Sequence, residues 1–178
     1  ALQVIKKDGS LIWGAARLHY SIPTAAVKAW GEGLSLTRQQ YLVTTEGGRD
    51  VLRPLEEGEL LPIGARIRTQ LVIKIKQGLD YVKISDPRPG YAEPVEQKPF
   101  YPSIRYGNAY VVPRDGRTDI FVDRLTSGTT ELYYDQWVTR PGVYGGVVTT
   151  LVSLYASEYS AHTAVSPEQR VHSEPGTE

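Results

Sequence analysis

Three histidines, His19, His162 and His172, are the only imidazoles in the chain, and they lie far apart. None has a second His or a Cys two to four residues away, the spacing from which zinc sites are built. The chain has no cysteine at all, which excludes thiolate metal sites, a cysteine nucleophile, disulfides and an internal thioester. No serine stands in the Gly-x-Ser-x-Gly turn that exposes a hydrolase nucleophile. Gly31-Glu32-Gly33 lacks the third glycine of a dinucleotide loop, and no lysine follows as in a P-loop. Asp115, Asp119 and Asp123 recur every four residues, whereas a calcium loop needs oxygens every two residues and a distal Glu. Asp80, Asp86, Glu93 and Glu96 could flank a glycosidic bond as an acid–base pair. Two of them precede prolines, at Asp86-Pro87 and Glu93-Pro94; there Asp initiates a turn and Glu sits extended, so turn chemistry is the expected role. No catalytic, metal-binding or cofactor-binding residue is therefore assigned, and no cofactor is expected.

Aromatic residues offer binding instead of catalysis. Tyr101, Tyr106, Tyr110, Trp137 and Tyr144 could form a sugar-stacking platform, as in a carbohydrate-binding or adhesin module. Phe100-Tyr101-Pro102 reads rather as a packing plug. A formal net charge of zero, from twenty basic and twenty acidic side chains, argues against a nucleic-acid partner. No run approaches the length of apolar sequence that spans a bilayer as a helix. The first residue is Ala and not Met, so a processed or excised fragment is expected.

These side chains must be held by β-structure. Twelve tyrosines, seventeen glycines and twelve prolines suit short strands joined by tight turns. The clearest strand runs from Arg66 to Lys76. Ile67, Thr69, Leu71, Ile73 and Ile75 share one face; Arg66, Arg68, Gln70, Lys74 and Lys76 share the other, with Val72 the exception. The aliphatic face is expected in the core, each residue contributing about 1.5–3 kcal/mol, and the basic face in water. Further strands are read at 11–20, 34–44, 106–113, 118–123, 130–139 and 147–155, with turns at Gly47-Gly48, Glu57-Gly58, Asp115-Gly116, Ser127-Gly128 and Pro141-Gly142. In the strand of residues 129–139, Leu132 and Tyr134 lie on one face, Tyr133 and Trp137 on the other. Thr24 to Trp30 is the one helix candidate. The polar tail from Ser166 holds at most one short strand. Strands at this spacing predict an all-β, antiparallel, immunoglobulin-like sandwich.

Several segments then recur in a distinctive order: Tyr81-Val-Lys-Ile-Ser-Asp-Pro-Arg-Pro-Gly-Tyr-Ala-Glu-Pro-Val95, Ile120-Phe-Val-Asp-Arg-Leu-Thr-Ser-Gly128, Thr130-Glu-Leu-Tyr-Tyr134, Arg140-Pro-Gly-Val-Tyr144 and Ser153-Leu-Tyr-Ala-Ser-Glu-Tyr-Ser-Ala-His162. In this order they resemble the C-terminal end of bacterial α2-macroglobulin-family proteins. The resemblance implies that residues 1–36 are the last part of a CUB-like β-domain or a packing arm. Residues 37–165 would form the final immunoglobulin-like macroglobulin domain, and 166–178 a short strand or tail. It implies a non-catalytic contact domain in a cell-envelope protein, periplasmic or at the outer surface, that entraps proteases once they cut a bait region. Its partners would be the neighbouring domains and, indirectly, proteases. Val95-Glu96-Gln97 echoes the Cys-x-Glu-Gln thioester signature of that family without the cysteine, so no thioester forms here. Leu11, Ile12, Trp13 and Leu18 carry more apolar bulk than a free arm exposes. Partial burial of residues 11–20, or self-association through that edge, is expected.

Overall fold

The computed structural model describes residues 21–102 and 109–175, together with Ile5, Lys7, Gly9, Leu11, Trp13 and Gly14. The predicted strand at 11–20 falls mostly outside these residues. Leu11 and Trp13 are described, and both are exposed, at 80% and 87%.

A single 3-10 turn, Thr24–Ala26, stands where the helix candidate was read. Pro23 offers no side-chain cap and Val27 is already extended, so the segment cannot meet the cost of a helical nucleus. The strands follow: β1 (Trp30–Gly31), β2 (Leu34–Glu46), β3 (Arg49–Pro54), β4 (Leu60–Ile63), β5 (Arg66–Ile75), β6 (Leu79–Pro87) and β7 (Ala92–Pro94). After the 103–108 segment come β8 (Ala109–Pro113), β9 (Arg117–Leu125), β10 (Gly128–Val138), β11 (Gly142–Tyr144), β12 (Thr150–Ser153), β13 (Ser160–His162) and β14 (Gln169–Pro175). The turn residues do what their types require. Gly47 and Gly48 take φ of 56° and 77°, closing the β2–β3 hairpin with two left-handed residues. The Asp115-Gly116 turn closes β8 onto β9, with the Arg114 amide donating to the Arg117 carbonyl at 2.8 Å.

Two antiparallel sheets form the sandwich. One has the order β1-β13-β12-β6-β9-β8, the other β3-β2-β5-β10-β7. Between them lies a core that includes Leu34, Leu36, Leu71, Ile73, Ile75, Val82, Ile84, Ile120, Val122, Leu132 and Leu151. The alternation in β5 holds: Ile67, Leu71, Ile73 and Ile75 are buried, and Lys74 and Lys76 are exposed. Arg68 departs from it. Its side chain is only half-exposed, because Asp135 on β10 and Asp50 on β3 draw it down onto the sheet. Leu132 and Tyr134 face the core, and Trp137 faces outward, as their parity requires.

Both sandwich sheets are antiparallel throughout, as expected. A third sheet, β11-β14-β4, is built by the tail, and β14 runs parallel to β4, Val171 opposite Leu61. It caps a second core of Leu61, Ile67, Tyr91, Ala92, Val138 and Val171. The long strands β2, β5 and β10 serve both cores. Along each, the inward stripe turns polar between them. Arg38 and Gln40 separate Leu36 from Leu42. Thr69 separates Leu71 from Ile67, and Gln136 separates Tyr134 from Val138. A polar layer thus divides the apolar interior into two parts.

Candidate functional site

The polar layer contains the densest chemistry of the interior. Arg38 follows Leu34 and Leu36 on the inward face of β2; Asp86 follows Val82 and Ile84 on the inward face of β6. The strands belong to opposite sheets, so the two charges meet across the sandwich. Arg38 Nε donates to Asp86 Oδ1 at 3.0 Å and Oδ2 at 3.2 Å, and the side chains are 4% and 1% exposed. The Tyr134 and Thr149 hydroxyls also donate to the Asp86 carboxylate. Burial first, then the Asp86 charge, hold the Tyr134 phenol well above its ordinary pKa. Burial, the largest influence, pulls the Arg38 guanidinium down; Asp86, Tyr134 and Tyr91 together outweigh it and the net direction is upward. Asp86 is saturated with donors, and the cluster ties two sheets together.

A cavity of about 240 Å³ opens on this layer, where β2, the β3–β4 turn, the β6–β7 turn and the residues leading into β14 converge. Arg38, Gln40 and Tyr91 stand in its wall, and Glu56, Glu57 and Gln169 also line it. Arg38 Nη2 and Gln40 Nε2 are sealed from solvent without a hydrogen-bond partner. Burial raises the Tyr91 phenol; the Arg38 charge and the nearby Gln40 amide oppose that shift without the amide reaching bonding geometry.

The other sequence candidates are dispersed. His19 lies outside the described residues. His162 sits on β13, its ring stacked on Trp30 at 6.2 Å, and His172 sits on β14. Among the described residues no three His, Cys, Asp or Glu side chains are grouped to hold a metal. Asp80 pairs with Arg124 and Glu93 with Arg140, both at the surface. Asp115 and Asp123 are exposed, whereas Asp119 is 2% exposed and receives Ser85, Arg117, Lys83 and Arg114. Asp86 corrects the turn-chemistry reading: it lies within β6 and serves an interior ion pair, not the Pro87 turn. The missed signal is the parity of two inward stripes, Leu34-Leu36-Arg38 and Val82-Ile84-Asp86, that each end in a charge of opposite sign.

The aromatic candidates do not share one platform. Tyr101 and Tyr110 pack at 4.9 Å with their rings inclined by 42°. Tyr101, with Phe100, Arg66 and Tyr133, borders a cleft of about 800 Å³. Tyr144 packs edge-on against Tyr91, Trp137 lies on the outer face of the five-stranded sheet, and Tyr106 is outside the described residues. Phe100 is partly buried against the main core, pairing with Val111, and serves as the plug its prolines suggested.

Comparison with known proteins gives three findings. The family model of the bacterial alpha-2-macroglobulin MG10 domain matches residues 33–158. No curated protein sequence matches. Among solved structures, the fold is similar to Salmonella alpha-2-macroglobulin reacted with methylamine, with a TM-score of 0.65 and 18% identity over 84% of this chain. It is similar also to native Escherichia coli alpha-2-macroglobulin spanning domain MG7 to the C-terminus, with a TM-score of 0.64 and 17% identity over 84% of this chain. The chain spans 10% of the first protein and 25% of the second.

Proposed function

This chain belongs to the bacterial alpha-2-macroglobulin MG10 domain family, and from that premise we propose that it is a non-catalytic structural and contact domain of a protease-trapping envelope protein. The interior supports this reading. Its buried carboxylates, Asp86 and Asp119, are both committed to arginine, lysine and hydroxyl partners. Such groups hold strands in place; neither is left free to move a proton on a substrate. The domain shifts as a rigid body when its parent changes shape. One similar structure was solved after activation by trypsin and another after activation by elastase, which is the kind of event this role serves.

The deciding experiment deletes residues 33–158 from the parent protein. The deletion should abolish protection of a large protein substrate from digestion while leaving cleavage of the parent by the protease intact. Retained protection would overturn the reading. The exposed arm around Leu11 and Trp13 belongs to the same proposal: a CUB-like neighbour covers it in the parent. The isolated chain should then self-associate in sedimentation, and Trp13→Lys should return it to a monomer. A wild-type monomer would count against the arm's being an interface. Among the described residues, the inclined Tyr101–Tyr110 pair beside the cleft favours a sugar-binding module instead; binding on a glycan array would establish that alternative.

A further inference from the structure

Positive charge is left over where β8 turns into β9. Three cations converge on the carboxylate of Asp119, which is 2% exposed: Arg117 Nε at 2.9 Å, Lys83 Nζ at 3.6 Å and Arg114 Nε at 3.7 Å. Three positive charges against one negative leave two positive. The strand register sets no acid beside them. Lys83 stands opposite Phe121 and Val152, and Asp119 stands opposite Ser85 and Val112. Asp115 lies in the turn itself, where Arg88 donates to the Arg114 and Asp115 carbonyls and offsets its charge. Asp123 lies four residues along β9 from Asp119, about 13 Å at a strand's rise. That is beyond the roughly 8 Å over which exposed charges act in physiological salt.

The donors that remain point outward. Both arginines approach Asp119 through Nε, and among the described residues their Nη groups have no partner; the side chains are 56% and 51% exposed. A guanidinium held at Nε presents its Nη groups as a planar fork that matches an oxyanion. Lys83 is steadied over the Phe121 ring, 5.8 Å from its centroid. The turn that carries the arginines is braced by the Arg114 amide on the Arg117 carbonyl at 2.8 Å and the Arg88 amide on the Gly116 carbonyl at 3.0 Å. Asp119 is thus an anchor that holds the cations together without cancelling them. One carboxylate would neutralise half of the surplus. A phosphate monoester, with about −1.5 to −2 charges at neutral pH and three acceptor oxygens, matches all of it. We infer that Arg114, Arg117 and Lys83, gathered on Asp119, form a binding site for a phosphate monoester group.

The test uses the full chain, labelled with ¹⁵N and titrated with inorganic phosphate at constant ionic strength, with acetate in parallel. The Arg114 and Arg117 Nε–H signals should shift and saturate with phosphate, and acetate should bind more weakly. Arg117→Gln should weaken phosphate binding about tenfold, the equivalent of one charge-assisted hydrogen bond. Arg124→Gln removes the same charge at the far end of β9, where Arg124 pairs with Asp80, and should leave the affinity unchanged. Amide signals away from the turn should match wild type in both variants, which shows that each is folded. The same group occurs in free phosphate and in lipid headgroups, so vesicles of phosphatidic acid are compared with vesicles of phosphatidylcholine. Co-sedimentation with the first alone, lost in Arg117→Gln, assigns the lipid source; phosphate binding without co-sedimentation assigns the soluble one. Three outcomes overturn the inference: no saturable shift at either arginine, acetate binding as tightly as phosphate, or equal losses in Arg117→Gln and Arg124→Gln.

Discussion

At the scale of single residues, the Arg38–Asp86 pair sets the largest expected effects. Asp86→Ala leaves a buried guanidinium and two hydroxyls without their acceptor, and should cost about 3–5 kcal/mol in urea unfolding. The double variant Arg38→Met with Asp86→Leu should cost clearly less, because no charge is then left unpaired. Asp119 governs acid stability. Burial pushes its carboxyl up, but hydrogen bonds from Arg117 and Ser85 and the charge of Lys83 outweigh that and hold it below the ordinary value. A folded-state pKa that lies lower contributes stability above the unfolded value, near 3.9, and loses it as pH falls through the folded one. Urea midpoints measured from pH 6 down to pH 2 should therefore fall below about pH 4, and the fall should be shallower in Asp119→Asn. Neither role was legible from the local sequence. Asp86-Pro87 carries a strong turn signal, and only the pairing of two strands far apart in the chain sets Asp86 against Arg38. The lack of any cysteine, by contrast, is visible at once in the sequence.

Individual strands were the most legible level. Alternation in β5 specified its buried face before any partner was known, because a period of two cannot satisfy water and core in any other way. Leu71→Ala should cost about 2–5 kcal/mol through lost transfer energy and the cavity left behind, whereas Lys74→Ala should fall within about 0.5 kcal/mol of wild type. Chemical denaturation of the two variants side by side makes the comparison; a costly Lys74→Ala would mean that the face is covered. Gly47-Gly48 marked its hairpin because left-handed backbone is demanded at both positions, and Asp115-Gly116 marked the β8–β9 hairpin without either residue turning left-handed. The helix candidate failed because apolar spacing over two turns does not distinguish a helix from a strand entrance. Pro141-Gly142 was read as turning into a strand from Val147; the strand begins only at Thr150, and Gly146 instead passes against the Ser166 carbonyl, where a Cβ would meet it at 1.8 Å. That close approach depends on the tail, which local pattern could not anticipate.

For the molecule as a whole, the sandwich was legible and the second core was not. Val171 is the only large aliphatic residue of the tail, too little to announce a sheet, yet it is 5% exposed where β14 lies beside β4. Truncation after Ser166 should uncover Leu61 and Tyr91 and lower the thermal midpoint by at least several degrees, as the loss of a buried aliphatic side chain alone costs about 2–5 kcal/mol. An unchanged midpoint would mean that the third sheet adds nothing to the fold. The parallel pairing of that sheet has a temporal consequence. Gln169 reaches back to the Glu59 carbonyl across 110 positions of sequence, so β4 has no partner in its sheet until β14 has left the ribosome. Until β14 emerges, the flank of Leu61 that Val171 covers is hydrophobic surface waiting for a partner. Loop-closure entropy makes such distant pairings slow, and exposed strand edges are where nascent chains aggregate. The nascent domain is most vulnerable in the interval before β14 emerges, and that last strand is the clasp that ends it.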